Sequence, residues 1–90
     1  MITVYTKDLC GYCHMAMSYL DKHKIEYKEI NIDHNTEAKK FLKESGHTTC
    51  PQIYNGDNLL VKGGCNGLLA LSKTEILERV NGYDLGKYGI

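Results

Sequence analysis

Met1-Ile2-Thr3-Val4-Tyr5-Thr6-Lys7-Asp8-Leu9-Cys10-Gly11-Tyr12-Cys13 decides the fold, because two structural periods meet inside it. Residues 1–6 alternate apolar with polar or amphipathic side chains, the period of a strand. Tyr12, Met15, Ala16, Tyr19 and Leu20 then fall on one face of a helix, and Met15 is read as core. The switch sets Cys10 at the helix N-terminus and Cys13 about one turn further on. Backbone N–H groups there lack intrahelical partners and can point at a sulfur anion. Two thiols so placed can make and break a disulfide.

Working outward, Ile25 to Ile32 reads as a second strand that packs through Tyr27, Ile30 and Ile32. Strand, helix and strand in this short compass form a βαβ unit with parallel strands. Asn35 or Asp33 can cap a second helix carrying Ala38, Phe41 and Leu42, which Gly46 stops. Pro51 to Tyr54 and Leu59 to Lys62 flank Asn55-Gly56-Asp57-Asn58, the signal of an antiparallel hairpin. Gly63-Gly64 opens a short helix with Leu68, Leu69 and Leu71. Ser72-Lys73-Thr74-Glu75 fits a capping box ahead of Ile76, Leu77 and Val80, in a helix that Gly82 ends. Tyr83 to Ile90 carries no pattern. The order is βαβαββα with an extra terminal helix: one α/β domain over residues 1–90, with 81–90 as a tail.

Bulk properties narrow the partners. Eleven basic and eleven acidic residues balance, and the pI is near 6.9. No basic footprint for nucleic acid is present. No apolar run approaches the ~20 residues that cross a bilayer, and no basic-then-apolar leader opens the chain. A cytoplasmic protein with no membrane partner is expected. In that reducing setting four cysteines point to redox or metal chemistry rather than to a disulfide framework.

The chain resembles the glutaredoxins, small thioredoxin-fold proteins that use glutathione. The likeness rests on Thr6-Lys7-Asp8-Leu9-Cys10-Gly11-Tyr12-Cys13, Thr49-Cys50-Pro51-Gln52-Ile53 and Gly63-Gly64-Cys65, and runs from Ile2 to about Leu71. It implies a thioredoxin-like fold: a four-stranded mixed sheet with helices on both faces. It also implies a monomeric thiol–disulfide oxidoreductase with no bound cofactor and glutathione as co-substrate. Its partners would be disulfide-containing or glutathionylated proteins, ribonucleotide reductase among the family's candidates. Cys10, at the exposed helix start, would attack, and the more buried Cys13 would resolve the mixed disulfide. Lys7 and Gln52 would bind the glycyl carboxylate of glutathione, and Tyr12 would flank its sulfur. Pro51 would be cis, turning the Cys50 backbone toward the substrate. Gly64 would let the backbone pass close to the ligand, with Cys65 and Asn66 opening a helix toward the γ-glutamyl carboxylate.

Three departures from the family pattern stand out. Gly11 replaces a common proline, and Cys50 replaces an apolar residue before Pro51. Cys50 is read first as a small buried hydrophobe and second as a third redox thiol. Asn66-Gly67 replaces an acidic pair, so the cation-binding half of that subsite should be weakened while its anion-binding half survives.

An ordinary thiol with pKa about 8.5 is about 3 per cent thiolate at neutral pH. Lowering the pKa by three units requires about 4 kcal/mol of differential stabilisation. A helix terminus supplies about 0.3–1 kcal/mol, or ~2 when partly buried. Direct N–H groups around Tyr12 and Cys13, and a cation such as Lys7, must supply the rest.

Rival readings exist. Cys10-Gly11-Tyr12-Cys13-His14 also spells a haem attachment motif, but the missing export signal and the hairpin speak against it, and His14 reads as an exposed helix residue. Cys10, Cys13, His47 and Cys50 have zinc-ligand spacing. A thioredoxin-like dithiol served by a reductase, or an iron–sulfur module, are further alternatives. His23, His34 and His47 form no converging pattern. Lys39, Lys40 and Lys43 make a basic stripe that solvation explains, though such a lysine could also reach a glutathione carboxylate.

Overall fold

The computed structural model describes residues 1–81. The elements run β1 (Ile2–Thr6), α1 (Gly11–Lys22), β2 (Tyr27–Asn31), a 3-10 turn (Ile32–His34), α2 (Thr36–Glu44), β3 (Gln52–Asn55), β4 (Asn58–Leu59), α3 (Gly64–Leu69) and α4 (Lys73–Val80). They build one four-stranded sheet in the order β2-β1-β3-β4. The β1 and β2 strands are parallel, from Ile2 opposite Tyr27 to Thr6 opposite Asn31. The β1–β3 and β3–β4 pairs are antiparallel, with Val4 opposite Ile53 and Tyr54 opposite Leu59.

Strand alternation sorts the helices onto two faces. Ile2, Val4 and Ile53 point to one side, where they share a buried cluster with Ala16 and Leu20 of α1, Leu68 of α3 and Ile76 of α4. Tyr5 and Tyr54 point to the other, where Phe41 of α2 stacks against both at centroid distances of 5.8 and 5.2 Å. The expected mixed sheet with helices on both faces is therefore present. Asn35 caps α2 through the Ala38 N–H, and Gly46 follows that helix at φ +86°. Ser72 and Glu75 exchange both bonds of the capping box.

Several expectations need correction. The buried side of α1 is Cys13, Ala16 and Leu20 with Met17 beside it, whereas Met15 is 49 % exposed. Cys13, and not Tyr12, sets the phase of that helix, and Met15 lies about 200° around from Cys13. The second strand is shorter than Ile25–Ile32: Ile25 is buried just ahead of it, and Ile32 belongs to the 3-10 turn. The third strand begins one residue after Pro51. The fourth ends at Leu59 rather than Lys62, because the Arg79 guanidinium takes the Leu60 carbonyl at 2.9 Å and Gly63 and Gly64, both left-handed, turn the chain into α3. Gly64, not Cys65, is the first residue of that helix, and Leu69 faces outward. The reading of Gly82 as a helix stop and of Tyr83–Ile90 as a tail falls outside the described residues.

Candidate active site

Three segments meet where β1 gives way to α1. The Lys7–Leu9 loop leads into Cys10, which caps α1 in an extended conformation (φ −112°, ψ 101°). Leu9 takes φ +54° and is fully exposed, a left-handed turn that an L-residue rarely adopts and that lifts the chain into the helix. Asp8 braces this loop: its backbone N–H donates to Asp33 Oδ2 at 2.9 Å, and its Oδ1 accepts from Asn31 Nδ2 at 2.9 Å with His34 Nε2 at 3.2 Å. The Asn31 hydrogen bond, then the His34 contact, hold the Asp8 carboxyl below its ordinary range. Nothing in the local pattern around Asp8 signalled these partners, which reach it only through the β1–β2 pairing.

The Cys13 N–H donates to Cys10 Sγ at 3.2 Å. No acidic side chain occupies the first turn of α1, so nothing there opposes an anion on that sulfur. The Cys10 and Cys13 sulfurs pair as a disulfide, with Cα atoms 5.2 Å apart. Both residues are buried, 6 % exposed for Cys10 and 1 % for Cys13, so the expected difference in exposure is small in this closed, oxidised pair.

The Cys50–Pro51 segment lies alongside. Cys10 Sγ is 3.8 Å from the Cys50 carbonyl oxygen, and the Cys50–Pro51 bond is cis, as the resemblance implied. Cys50 is half-buried, and burial pushes its thiol up; the Lys7 ammonium opposes that shift and the Asp33 carboxylate adds to it. Gln52, expected at the glycyl carboxylate, already has partners of its own. Its amide is buried and donates to the Thr49 carbonyl at 2.9 Å and the Thr49 hydroxyl at 3.3 Å, which fixes the loop ahead of Cys50.

The third segment is the start of α3. A Cβ on Gly64 would stand 2.6 Å from the Pro51 carbonyl oxygen, and Gly64 itself has φ +56°. The glycine pair thus lets α3 approach Pro51, not only a ligand. Gly67 has its own reason: a side chain there would run into the Lys62 carbonyl. The acidic pair of the family pattern therefore has room at Asn66, which is exposed, and none at Gly67. Cys65 belongs to the core, 4 % exposed with its thiol pushed up by burial, so only its backbone could serve a ligand. Tyr12 is 60 % exposed on the first turn of α1, beside the dithiol in sequence.

A groove of about 330 Å³ runs from Lys7 and Cys50 to α2, lined also by Lys39, Lys43, Ile32 and Leu42. The four residues with zinc-ligand spacing do not converge. His47 Nε2 lies 2.7 Å from the Tyr54 hydroxyl, and among the described residues no group of three His, Cys, Asp or Glu side chains is arranged to hold a metal.

Comparison with known proteins agrees with this geometry. The glutaredoxin family pattern matches residues 2–60. Glutaredoxin 1 of Rickettsia prowazekii is 42 % identical over 82 residues, covering 88 % of this chain and 84 % of that protein. Glutaredoxin 3 of Escherichia coli K12 is 38 % identical over 71 residues, covering 78 % and 83 %. Among solved structures, a buckwheat glutaredoxin–glutathione complex superposes with a TM-score of 0.71 at 21 % identity, covering 90 % of this chain and 76 % of that one.

Proposed function

The chain belongs to the glutaredoxin family and is a thiol–disulfide oxidoreductase with the thioredoxin-like fold; from that premise we propose that it is a glutathione-dependent reductant of protein disulfides and glutathione mixed disulfides. The observation that carries the reading is the placement of Cys10 Sγ at the open N-terminus of α1, under the Cys13 N–H and beside the Cys50 carbonyl. A charge-assisted hydrogen bond of this kind is worth about 1.5–3 kcal/mol. Added to the helix terminus at about 0.3–2 kcal/mol, it approaches the ~4 kcal/mol that a three-unit drop in pKa requires.

In the proposed cycle the Cys10 thiolate attacks a sulfur of the substrate disulfide. That S–S bond breaks, a mixed disulfide forms on Cys10, and one substrate thiolate leaves and takes a proton. For a glutathionylated protein the adduct on Cys10 is glutathione, which the thiolate of a second glutathione displaces as glutathione disulfide. For a protein disulfide, Cys13 attacks Cys10 Sγ, releases the second substrate thiol and leaves the Cys10–Cys13 disulfide, which two glutathiones reduce. Either way two electrons pass from glutathione to substrate, and no bound cofactor is called on.

Glutathione would lie along Cys50 and Pro51, with its sulfur between Cys10 and Tyr12. Lys7 would take the glycyl carboxylate, and the backbone from Gly64 through Cys65 to Asn66 the γ-glutamyl end. The cytoplasm, where glutathione is abundant and reduced, is the compartment this chemistry suits. Turnover of a small glutathione mixed disulfide by wild type, Cys10→Ser and Cys13→Ser tests the reading. Cys10→Ser should abolish turnover while Cys13→Ser keeps much of it. Equal loss in both would replace it with a thioredoxin-like route that needs both thiols, and full activity without Cys10 would end the nucleophile assignment.

A further inference from the structure

We propose that the groove between α2 and residues 48–50 binds an acidic stretch of the protein substrate, next to the disulfide being reduced; the proposal rests on the reading of this chain as a reductant of protein disulfides.

The groove is cationic by construction. Lys39 and Lys43 stand four residues apart on α2 and so point the same way, while Lys7 reaches in from the loop before Cys10. Between them lie Ile32 and Leu42, which give a low-dielectric floor that strengthens any charge pairing above it. The single ion pair among the described residues joins His34 to Asp8, so no carboxylate there stands within 4.0 Å of any of these ammonium groups. The Asp33 carboxylate acts on the Cys50 end, so the unanswered positive charge is greatest on the α2 side, where Lys39 and Lys43 repel each other until an anion enters. One glycyl carboxylate answers Lys7 and leaves Lys39 and Lys43 open. A polypeptide with two or more carboxylates close to its reactive cysteine answers the rest.

The groove also ends in the right place. Cys50 forms its inner end, and the Cys50 carbonyl is 3.8 Å from Cys10 Sγ. A chain whose cysteine sulfur is bonded to Cys10 would continue from there along the lysines. On the opposite flank, Asn66 and Gly67 are themselves uncharged.

The test uses the fully reduced protein in a single turnover without glutathione. Its oxidants are two symmetric peptide disulfides, one with Glu and Asp flanking the cysteine and one with Gln and Asn. Each turnover consumes one peptide disulfide, releases two peptide thiols and oxidises Cys10 and Cys13 to their disulfide. The acidic peptide should react about tenfold faster at low ionic strength, with the ratio shrinking toward one as salt screens the groove. Lys39→Glu/Lys43→Glu should invert the preference, and Lys39→Gln/Lys43→Gln should erase it. Both positions changed, Lys39 and Lys43, carry exposed side chains, and circular dichroism checks folding. Equal rates for both peptides, or an unchanged ratio in both double variants, would overturn the proposal. Because glutathione is absent, these outcomes are independent of whether glutathione is the reductant, which the turnover assay above decides.

Discussion

Gly64→Ala adds a single methyl group and should nevertheless destabilise the fold severely. Two costs add. At φ +56° an alanine sits in the left-handed region, at about 1–2 kcal/mol. Its Cβ would also stand 2.6 Å from the Pro51 carbonyl oxygen, a backbone atom that cannot swing aside as a side chain can. Relieving that overlap costs about 1–3 kcal/mol more. A total near 3 kcal/mol is a large part of the ~5–15 kcal/mol that holds a domain folded, and lowers Tm by about 12–24 °C for one of this size. Urea unfolding measures it, with Gly11→Ala as the control. Gly11 opens α1 with nothing within 4 Å of its Cβ position, so alanine there should be neutral or stabilise by about 0.5–1 kcal/mol. If Gly64→Ala unfolded within 0.5 kcal/mol of wild type, the close packing of α3 on Pro51 would be wrong, and with it the argument for the glycine pair.

Asn66→Asp should restore a charge to the proposed γ-glutamyl subsite and lower the KM for glutathione by about two- to fivefold, since Asn66 is exposed and the gain is that of a surface ion pair. Gly67→Asp should instead destabilise the fold by about 2 kcal/mol or more, read as a lowered urea midpoint, because its side chain collides with the Lys62 carbonyl. Iodoacetamide near neutral pH, followed by peptide mass mapping of the reduced protein, should label Cys10 first and leave Cys65 untouched, since burial both hides that thiol and keeps it protonated. Comparable labelling of Cys65 in the folded protein would contradict its place in the core. In the oxidised protein, where Cys10 and Cys13 do not titrate, burial raises Cys50 and Cys65 above 9.0 and Tyr5 and Tyr27 above 10.0. Raised values favour the protonated forms in the fold, so this contribution is complete below the ordinary values and is lost as pH rises through the folded ones. The urea midpoint should hold through neutral pH and fall above about pH 9.

Legibility followed the range of the interaction. The dithiol at a strand-to-helix switch, the Asn-Gly hairpin, the Asn35 cap and the Ser72–Glu75 box depend on residues at most a few positions apart, and each is present as read. The misses are tertiary. Met15 and Met17 are both apolar and two residues apart, and only the docking of Cys13 and Leu20 on the sheet decides which one is covered. The Gln52 amide donates to the Thr49 carbonyl, a contact that no residue type announces. Gly67 looked like a lost acidic residue; the Lys62 carbonyl shows why a side chain is not accommodated. Lys39 and Lys43 formed a legible stripe, yet only the fold brings Lys7 to face them.

The site is ultimately a consequence of strand register. Tyr5 of β1 stands opposite Gln52 of β3, so an antiparallel pairing delivers Cys50 and Pro51 beyond the same sheet end from which Lys7 to Cys10 emerge. The glycine at 64 then lets α3 close on Pro51 from the far side. Sliding β3 by two residues would keep every side chain on its proper face and so cost the core comparatively little. It would also carry the Cys50 carbonyl about 7 Å along the strand, at ~3.4 Å per residue. That displacement exceeds the 3.8 Å now separating the carbonyl from Cys10 Sγ, and would break the contact between the proposed nucleophile and the backbone proposed to bind substrate. Face alternation alone cannot exclude such a slip. The hairpin at Gly56-Asp57, which fixes Asn55 opposite Asn58, and Asn55 itself, bonded to the Val80 carbonyl at 3.0 Å, anchor the far end of β3 against it. Residues remote from the sulfur thus determine whether the Cys50–Pro51 backbone stands beside it.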